Sequence, residues 1–323
     1  MHLGIFGMTE GGDMEIGAHL PLMDFGGHPY TLAHLLDYAS TAERLGFSAL
    51  AANDHLVFES PWLDGPTALA AVLERSGEMQ LATSVSLPVV RGPIPLAKTL
   101  GANDRLSGGR LVVAVGPGSS KRDYEVVGLD FEERWKRLDE SVLALRSLWA
   151  SETEAFDGRF YSTEGIDLRP RPARGEGPPI WVGSWGSDAG LRRVARVADG
   201  WLASAYNTTP EMFADGLVRL NNHLEQAGRA TAGFPNGLAT MWCYLTDDPS
   251  EADRVLAERI LPVVDRPEAV LRERLPIGSA DGFIAKLLAY RDAGVHRVYI
   301  WPVADESRQL ELFAEQVLPA LAA

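Results

Sequence analysis

An acidic residue and a histidine stand side by side at Asp54-His55, one residue after the apolar run SALAA. Histidine exchanges protons near neutral pH, and a neighbouring carboxylate can orient its imidazole. The pair therefore predicts acid–base chemistry at this point of the chain. A helix-capping aspartate beside a solvated histidine would produce the same two letters, so the position of the pair in the fold has to decide.

Two glycine-containing segments also follow apolar runs. Gly116-Pro117-Gly118 follows RLVVAV, where backbone amides could approach a ligand closely. The other segment joins the run PIWV to a helix predicted to begin near Asp188, and free amides at a helix N-terminus bind phosphate without basic side chains. A tight turn with a serine cap is the alternative for this second segment. It comprises Gly183, Ser184, Trp185, Gly186 and Ser187.

A third apolar run ends in the segment Thr83, Ser84, Val85 and Ser86, in which three of the four residues are small and polar. Such residues at the end of a strand either form a ledge against a ligand or simply lead into a turn. The spacing leaves both interpretations open.

Short apolar runs alternate with amphipathic helical stretches along the whole sequence. This alternation is typical of βα units around a parallel sheet, and eight such runs predict a closed α/β barrel of the TIM type, (β/α)₈. The predicted strands are Glu15–Leu20, Phe47–Ala52, Met79–Leu87, Arg110–Gly116, Pro179–Ser184, Gly200–Ser204, Leu238–Leu245 and Arg297–Trp301.

The helical stretches between these runs are well delimited. Helices are predicted over Thr31–Leu45, over Phe131–Trp149 and from a cap near Ser279 to Arg291. Two stretches interrupt the alternation, a Gly- and Pro-rich excursion at 151–178 and a charged helical insertion around 247–278. We interpret them as insertions after strands four and seven within a single domain that spans residues 1–323.

Composition excludes several classes of function. The formal net charge of −14 opposes binding to nucleic acid or anionic membrane, and no apolar run reaches the length of a membrane span. A single Cys excludes a disulfide framework, and the N-terminus does not look like a signal peptide or an anchor, which favours the cytoplasm. No HExxH, two-His-one-carboxylate or GxSxG pattern is present, so we expect neither a metal site nor a serine nucleophile.

In a TIM barrel, functional residues lie where the strands end. All the polar segments described above occupy such positions, because each follows a predicted strand. The barrel therefore predicts that Asp54-His55 and the three polar or glycine-containing segments lie around one mouth. Trp62, Tyr206, Trp242, Tyr244 and Trp301 could line an apolar pocket there, or could simply be core residues.

With these residues in hand, the chain resembles the bacterial-luciferase-like flavin- and F420-dependent oxidoreductases. The resemblance covers most of the predicted barrel in the order of the family. It lies in the blocks AERLGFSALAANDHLV (42–57), LATSVSLPVVRGPIPLAKTLGANDRLSGGRLVVAVGPG (81–118), VVGLDFEERWKRLDESVLALRSLW (126–149), PPIWVGSWGSDAGLRRVARVADGW (178–201) and AGVHRVYIWP (293–302).

The resemblance implies a coenzyme ring at the barrel mouth and a small organic substrate. His55 matches a histidine that assists proton transfer, with Asp54 orienting it or contacting the coenzyme. Ser84-Val85 falls where members that use F420 have a non-proline cis peptide behind the ring. The resemblance also implies a homodimer. The residues it assigns to coenzyme binding are Asp54, Thr83, Ser84, Val85, Gly116, Gly118, Gly183, Ser184, Trp185, Gly186 and Ser187.

Four residues, at three places in the chain, depart from the pattern of the family. Ser119 replaces the Glu of the F420-dependent sugar-phosphate dehydrogenases, and Phe58 and Glu59 stand where those enzymes have a Trp. Both changes argue against a sugar-phosphate substrate. Pro117 replaces an Arg that helps luciferases hold the FMN phosphate, which argues against light emission.

The resemblance thus favours hydride transfer with F420 over the alternative, an FMN-dependent monooxygenase that uses O₂. Two further alternatives stay open at this point. One is a non-catalytic flavin-binding protein, and the other is an unrelated metal-dependent barrel enzyme.

Overall fold

The structure, a computed structural model, describes residues 14–27, 30–150 and 154–322. The N-terminal segment that shows no signal-peptide pattern therefore lies almost entirely outside the described residues. Within the described residues, no helix is long and apolar enough to cross a bilayer.

Eight parallel strands close into a barrel, which confirms the predicted TIM-type fold. Each strand pairs with its neighbours in parallel, and β7 closes the ring because it pairs with both β6 and β9. The two-residue strand β8 was not predicted and extends the sheet beside the end of β7. The strands are β1 (Glu15–His19), β2 (Ala49–Ala52), β3 (Gln80–Ser86), β4 (Leu111–Val115), β5 (Ile180–Gly183), β6 (Gly200–Ser204), β7 (Asn236–Leu245), β8 (Ile277–Gly278) and β9 (Arg297–Pro302).

The helices cover the outside of the barrel, and their ends follow local capping rules. Thr31, Ser187 and Ser279 each accept a hydrogen bond from a backbone amide in the first turn that follows. The helices are α1 (Leu32–Arg44), α2 (Gly65–Ala71), α3 (Pro88–Arg91), α4 (Pro93–Leu106), α5 (Lys121–Val126), α6 (Arg134–Trp149), α7 (Asp188–Val197), α8 (Pro210–Gln226), α9 (Pro249–Val255), α10 (Glu268–Arg274), α11 (Ala280–Asp292), α12 (Glu306–Gln316) and α13 (Leu318–Leu321).

Two large rings fill the barrel interior below the mouth. A Cβ at Gly17 would lie 2.6 Å from the Tyr299 ring, and a Cβ at Gly200 would lie 2.6 Å from the Trp181 ring. Alanines surround the two rings, Ala49, Ala51, Ala82, Ala114 and Ala239 among them. Small residues on most strands thus make room for one indole and one phenol, so the floor of the barrel is packed and only its mouth is open.

Hydrogen bonds anchor the first insertion, and apolar packing anchors the second. In the part of 151–178 that is described, the Glu140 carboxylate accepts hydrogen bonds from the amides of Arg159, Phe160 and Tyr161. The second insertion contains α9, a π-helical turn at Leu256–Ile260, and α10. Its apolar side chains pack on Trp242 and Trp301 at the ends of β7 and β9. The second insertion therefore covers one side of the barrel mouth.

His19 is a structural residue at the end of β1. Its side chain is fully buried and stacks on Trp301, with ring centroids 3.7 Å apart. Nδ1 donates to the Leu20 carbonyl at 2.7 Å, and Nε2 accepts from the Asn53 amide at 3.0 Å. Burial lowers the pKa of His19 from 6.5 to about 3, since a charged imidazole would lose its hydration there. His19 therefore stays neutral and holds the end of β2 against β1.

The low pKa of His19 makes folding stability depend on pH. Below pH 6.5 the unfolded chain gains a proton at His19 that the folded chain takes up only near pH 3. Stability is therefore complete above pH 6.5, and this group removes roughly 1.4 kcal/mol of unfolding free energy per pH unit as the pH falls through that window. In His19→Gln this contribution is absent, so we expect the stability gap between variant and wild type to narrow from pH 7 to pH 5. Urea unfolding of both proteins at several pH values measures this difference in unfolding free energy. If the free energies of wild type and variant changed in parallel with pH, the low pKa assigned to His19 would be contradicted.

Candidate active site

A cavity of about 430 Å³ opens at the carboxyl ends of the barrel strands. Ten of the residues that the sequence analysis assigned to catalysis or coenzyme binding line it, although they come from four strand ends that are far apart in the chain. They are Asp54, His55, Ser84, Val85, Gly116, Gly118, Gly183, Ser184, Trp185 and Ser187. The barrel thus brings the predicted segments together around one space.

Asp123 on α5 holds His55. Its carboxylate is fully buried and accepts from Nδ1 of His55 at 2.8 Å. The other carboxylate oxygen accepts from the amides of Leu56 at 3.0 Å and Val57 at 2.7 Å. Because an ionised carboxylate only accepts hydrogen bonds, Nδ1 carries the proton, and Nε2 is left as the acceptor available at the cavity.

The position of Asp54 favours one of its two expected roles. We expected Asp54 to orient His55 or to contact the coenzyme; Asp123 is the residue that orients His55, and contact of Asp54 with the coenzyme stays a prediction. Asp54 forms a two-pronged ion pair with Arg91, with both N–O distances at 2.6 Å. Adjacent residues at a strand end point in different directions, so neighbours in sequence need not touch. Asp54 still lines the cavity, with its charge balanced by Arg91.

Val85 projects against two glycines at the cavity wall. A Cβ at Gly116 would lie 2.8 Å from Val85, and a Cβ at Gly183 would lie 3.0 Å from it. The peptide bond between Ser84 and Val85 is cis, as the family resemblance predicted. Glycine at 116 and 183 therefore leaves the space that the Val85 side chain occupies beside the cavity.

Two buried polar atoms at the cavity have no hydrogen-bond partner in the described structure. They are the side-chain oxygens of Asn53 and Ser84, whose residues are only 8% and 4% exposed. An unsatisfied buried oxygen costs free energy, so such atoms beside a cavity indicate a polar ligand. The edge of a flavin or deazaflavin ring carries the hydrogen-bonding groups that these oxygens lack. The residues therefore fit such a ring.

The segment from Gly183 to Ser187 also lines the cavity and leads into α7. Ser187 caps the helix by accepting from the Gly190 amide, and Ser184 accepts from the Gly186 amide. The first amides of a helix lack intrahelical partners and carry the positive end of the helix dipole. A phosphate at this helix N-terminus therefore stays a prediction that the geometry allows.

Two predicted residues do not line the cavity. Thr83 is buried, and its hydroxyl donates to the Ala114 carbonyl at 2.6 Å. Side chains alternate along a strand, so Thr83 faces away from the interior that its neighbours Ala82 and Ser84 face. Gly186 adopts a positive φ of 87° in the turn before α7, where it allows the chain to reverse rather than forming the wall.

An aromatic cluster surrounds His55 on the side away from α7. Phe58 and Trp62 contact the imidazole, with ring centroids at 4.5 and 4.6 Å, and Trp62 leads on to Trp301. Tyr206 lines the cavity and stacks on Trp242 at 5.2 Å. Five aromatic residues were suggested by the sequence for a pocket, and of these Tyr206 lines the cavity. Trp62, Trp242, Tyr244 and Trp301 do not line it.

Sequence reasoning missed Asp123 and Arg91. Neither belongs to a recognisable motif, and each lies on a short helix that no strand-end rule singles out. Within the described parts of the chain, no group of three side chains that could hold a metal ion was found.

Asp123→Asn should reverse the tautomer of His55. Two backbone amides need an acceptor at residue 123, so the amide oxygen takes that place and the amide nitrogen faces Nδ1. Nδ1 must then accept, and the proton moves to Nε2. Nitrogen-15 shifts of labelled histidine report the tautomer. The matched control is Glu125→Gln on the exposed face of the same helix, which should leave it unchanged. A wild-type protein with the proton on Nε2 would contradict the assignment.

Comparisons with known proteins agree with this geometry. Residues 1–265 match the family described as luciferase-like monooxygenase. The F420-dependent glucose-6-phosphate dehydrogenase of Nakamurella multipartita is 30% identical over 329 aligned positions, which cover 90% of this chain and 93% of that protein. The enzyme of the same name from Microbacterium testaceum is 28% identical, covering 89% of this chain and 93% of its own.

Solved structures share the fold. The monooxygenase RslO1 from Streptomyces bottropensis superimposes with a TM-score of 0.79 at 25% identity, covering 95% of this chain and 99% of its own. An F420-dependent secondary alcohol dehydrogenase superimposes with a TM-score of 0.81 at 20% identity, covering 96% of this chain and 99% of its own. The chain belongs to the luciferase-like monooxygenase family.

Proposed function

We propose that this protein is an F420-dependent oxidoreductase that exchanges a hydride with a small organic substrate. Similarity to the F420-dependent dehydrogenases along nine-tenths of the chain supports the coenzyme. The observation that carries the proposal is the cavity itself. His55, held by Asp123, stands at the same space as the unsatisfied oxygens of Asn53 and Ser84.

Different residues of the cavity would bind different parts of the coenzyme. Asn53, Ser84 and Val85 would hold the ring, and the amides before α7 would hold the phosphate. When bound, F420 supplies a hydride acceptor or donor, which is chemistry that no side chain provides. The protein contributes position, exclusion of water and proton transfer.

His55 would move the proton that accompanies the hydride. In alcohol oxidation, Nε2 accepts the hydroxyl proton, and in carbonyl reduction it returns a proton to the oxygen. Asp123 acts through His55, because its buried carboxylate holds the proton of the neutral imidazole on Nδ1, so that Nε2 is the acceptor, and stabilises the imidazolium that forms when Nε2 takes a proton. Phe58 and Trp62 restrict the imidazole to this orientation.

We propose further that the substrate is not a sugar phosphate. Ser119 lines the cavity where the dehydrogenases of that class carry a carboxylate, and Glu59 is exposed. Trp62 supplies an indole beside His55, but from a position seven residues further along the chain. The polar groups near the reacting centre therefore differ from those of the sugar-phosphate dehydrogenases.

An FMN-dependent monooxygenase is the second candidate. Its support is the similarity to the monooxygenase RslO1 over nearly the whole of both chains. The same amides before α7 would hold the phosphate of FMN, and the unsatisfied oxygens of Asn53 and Ser84 would serve either ring. The two candidates differ in whether oxygen is consumed.

We also propose that the protein is a cytoplasmic homodimer. The single cysteine, Cys243, is buried and free, in keeping with a reducing compartment. The dimer rests on the family alone. Gel filtration with light scattering tests it, and a monomeric mass at micromolar concentration would overturn it.

Titration of the apo-protein separates the candidate functions. We expect F420 to bind and to quench the fluorescence of Trp185, which lines the cavity with half of its surface exposed. Binding of FMN alone, with substrate-dependent oxygen uptake, would instead establish the monooxygenase. A bound chromophore without turnover of a panel of alcohols and carbonyl compounds would indicate a non-catalytic flavin-binding protein, and no binding of either coenzyme would overturn the proposal.

His55→Ala should lower turnover by about 10²- to 10⁴-fold, because the general acid–base group is lost. Coenzyme affinity should change little, since the ring and phosphate contacts remain. His296→Ala, which removes an exposed imidazole just before β9 that does not line the cavity, is the control and should keep its turnover. Wild-type turnover in His55→Ala would show that another group moves the proton.

A further inference from the structure

The charged side chains that line the cavity include one acid and one base. The acid is Asp54, which pairs with Arg91, a residue outside the lining that also contacts the partly exposed Asp64. Apart from Asp54 and the titratable His55, the charged side chain among the lining residues is Arg134. A cation inside the cavity is notable in a chain whose net charge of −14 opposes anions at long range.

Arg134 is the first residue of α6, which runs beside α7 in the same direction. Near their starts, Arg193 of α7 pairs with Asp139 at 2.6 Å and lies over the Trp135 ring at 4.7 Å. Near their ends, Arg146 of α6 contacts Asp199, just past α7, at 2.8 Å. These contacts place the N-termini of the two helices side by side at the barrel mouth. Arg134 therefore lies on the same side as the Gly183–Ser187 segment.

The guanidinium of Arg134 has unused donors. In the part of the chain that the structure describes, it donates one hydrogen bond, from Nη1 to the Phe131 carbonyl at 2.9 Å. Its one ion pair there is with the largely exposed carboxylate of Glu132 at 3.7 Å. The Phe131 ring lies 3.9 Å from the guanidinium carbon and supports it from one side. Most of its five donors thus remain available to a ligand.

The acidic residue nearest the α7 terminus does not cancel this cation. One carboxylate oxygen of Asp188 pairs with Nε2 of His223 at 2.8 Å, and the other pairs with Arg192. These hydrogen bonds, first that of His223 and then that of Arg192, lower the pKa of Asp188. Its charge is therefore balanced on the outer side of the helix.

We propose that Arg134 binds the phosphate group of the coenzyme from the side opposite the α7 amides. This assignment rests on the proposed function and names a side chain for a contact that the loop after β4 does not supply, since Pro117 stands there. The phosphate would be held between neutral amides of one helix and the guanidinium at the start of the next. The opposite charges of Asp54 and Arg134 would also determine the direction in which the coenzyme lies along the cavity.

The test compares coenzymes with and without phosphate. The probes are FMN against riboflavin, and F420 against its phosphate-free deazaflavin nucleoside, each titrated into wild type, Arg134→Ala, Arg134→Lys and Lys136→Ala. Lys136 is exposed on the same helix and does not line the cavity, so it controls for the loss of one positive charge. Tryptophan quenching gives the dissociation constants, and thermal unfolding of each variant checks its fold.

We expect Arg134→Ala to weaken the phosphate-bearing ligand by about 10- to 100-fold and its phosphate-free partner by less than threefold. The salt dependence of binding should become shallower as well, Arg134→Lys should be intermediate, and Lys136→Ala should match wild type. If Arg134→Ala fails to fold, Arg134→Lys carries the same comparison.

Equal losses for both members of a pair would show that Arg134 only packs, and no loss for either would show that the amides suffice. Either result overturns this inference while leaving the proposed function standing. If the wild-type protein bound none of the four ligands, the proposed function itself would be overturned.

Discussion

The buried carboxylate of Asp123 connects the helix after β4 to the loop after β2. It accepts hydrogen bonds from two successive amides and from the imidazole of His55. A buried carboxylate is stable only when such donors surround it, so the loop cannot shift without leaving a charge unpaired. These three hydrogen bonds fix the position of the loop, the orientation of the imidazole and the nitrogen that carries its proton. The proposed proton transfer at the cavity depends on His55 being held in this way.

Packing below the mouth provides the second constraint. Trp181 and Tyr299 fill the interior, and glycine or alanine on the facing strands makes room for them. The interior therefore has no space for a ligand, and the polar side chains are left at the rim, where the strands end. His19 belongs to this support rather than to the chemistry, since it is neutral, stacked on Trp301 and bonded to the Asn53 amide.

Charge is distributed locally in a protein that is acidic overall. Asp54 and Arg91 form a buried pair beside the predicted ring site, whereas Arg134 stands near two helix N-termini at the predicted phosphate site. Because charges in a partly enclosed cleft are screened less than those on the surface, a few nearby groups outweigh the distant net charge. The aromatic layer formed with the second insertion limits the entry of water on the other side of His55.

Local patterns in the sequence were enough to predict the eight strands, the helix cap near Ser279 and the segments that follow the strands. These features depend on local periodicity and capping chemistry, both of which can be read along the chain. The sequence also placed a cis peptide at Ser84-Val85, through the resemblance alone. By contrast, the face that Thr83 presents and the extra strand β8 were not recognised.

Which side chains touch depends on the closed barrel. Asp54 follows β2 and Asp123 lies on α5, but Arg91 pairs with the first and His55 with the second. Arg134 likewise reaches the cavity because α6 lies beside α7, which no local pattern reveals. Partner choice depends on distances between segments tens of residues apart, and those distances exist only once the barrel has closed.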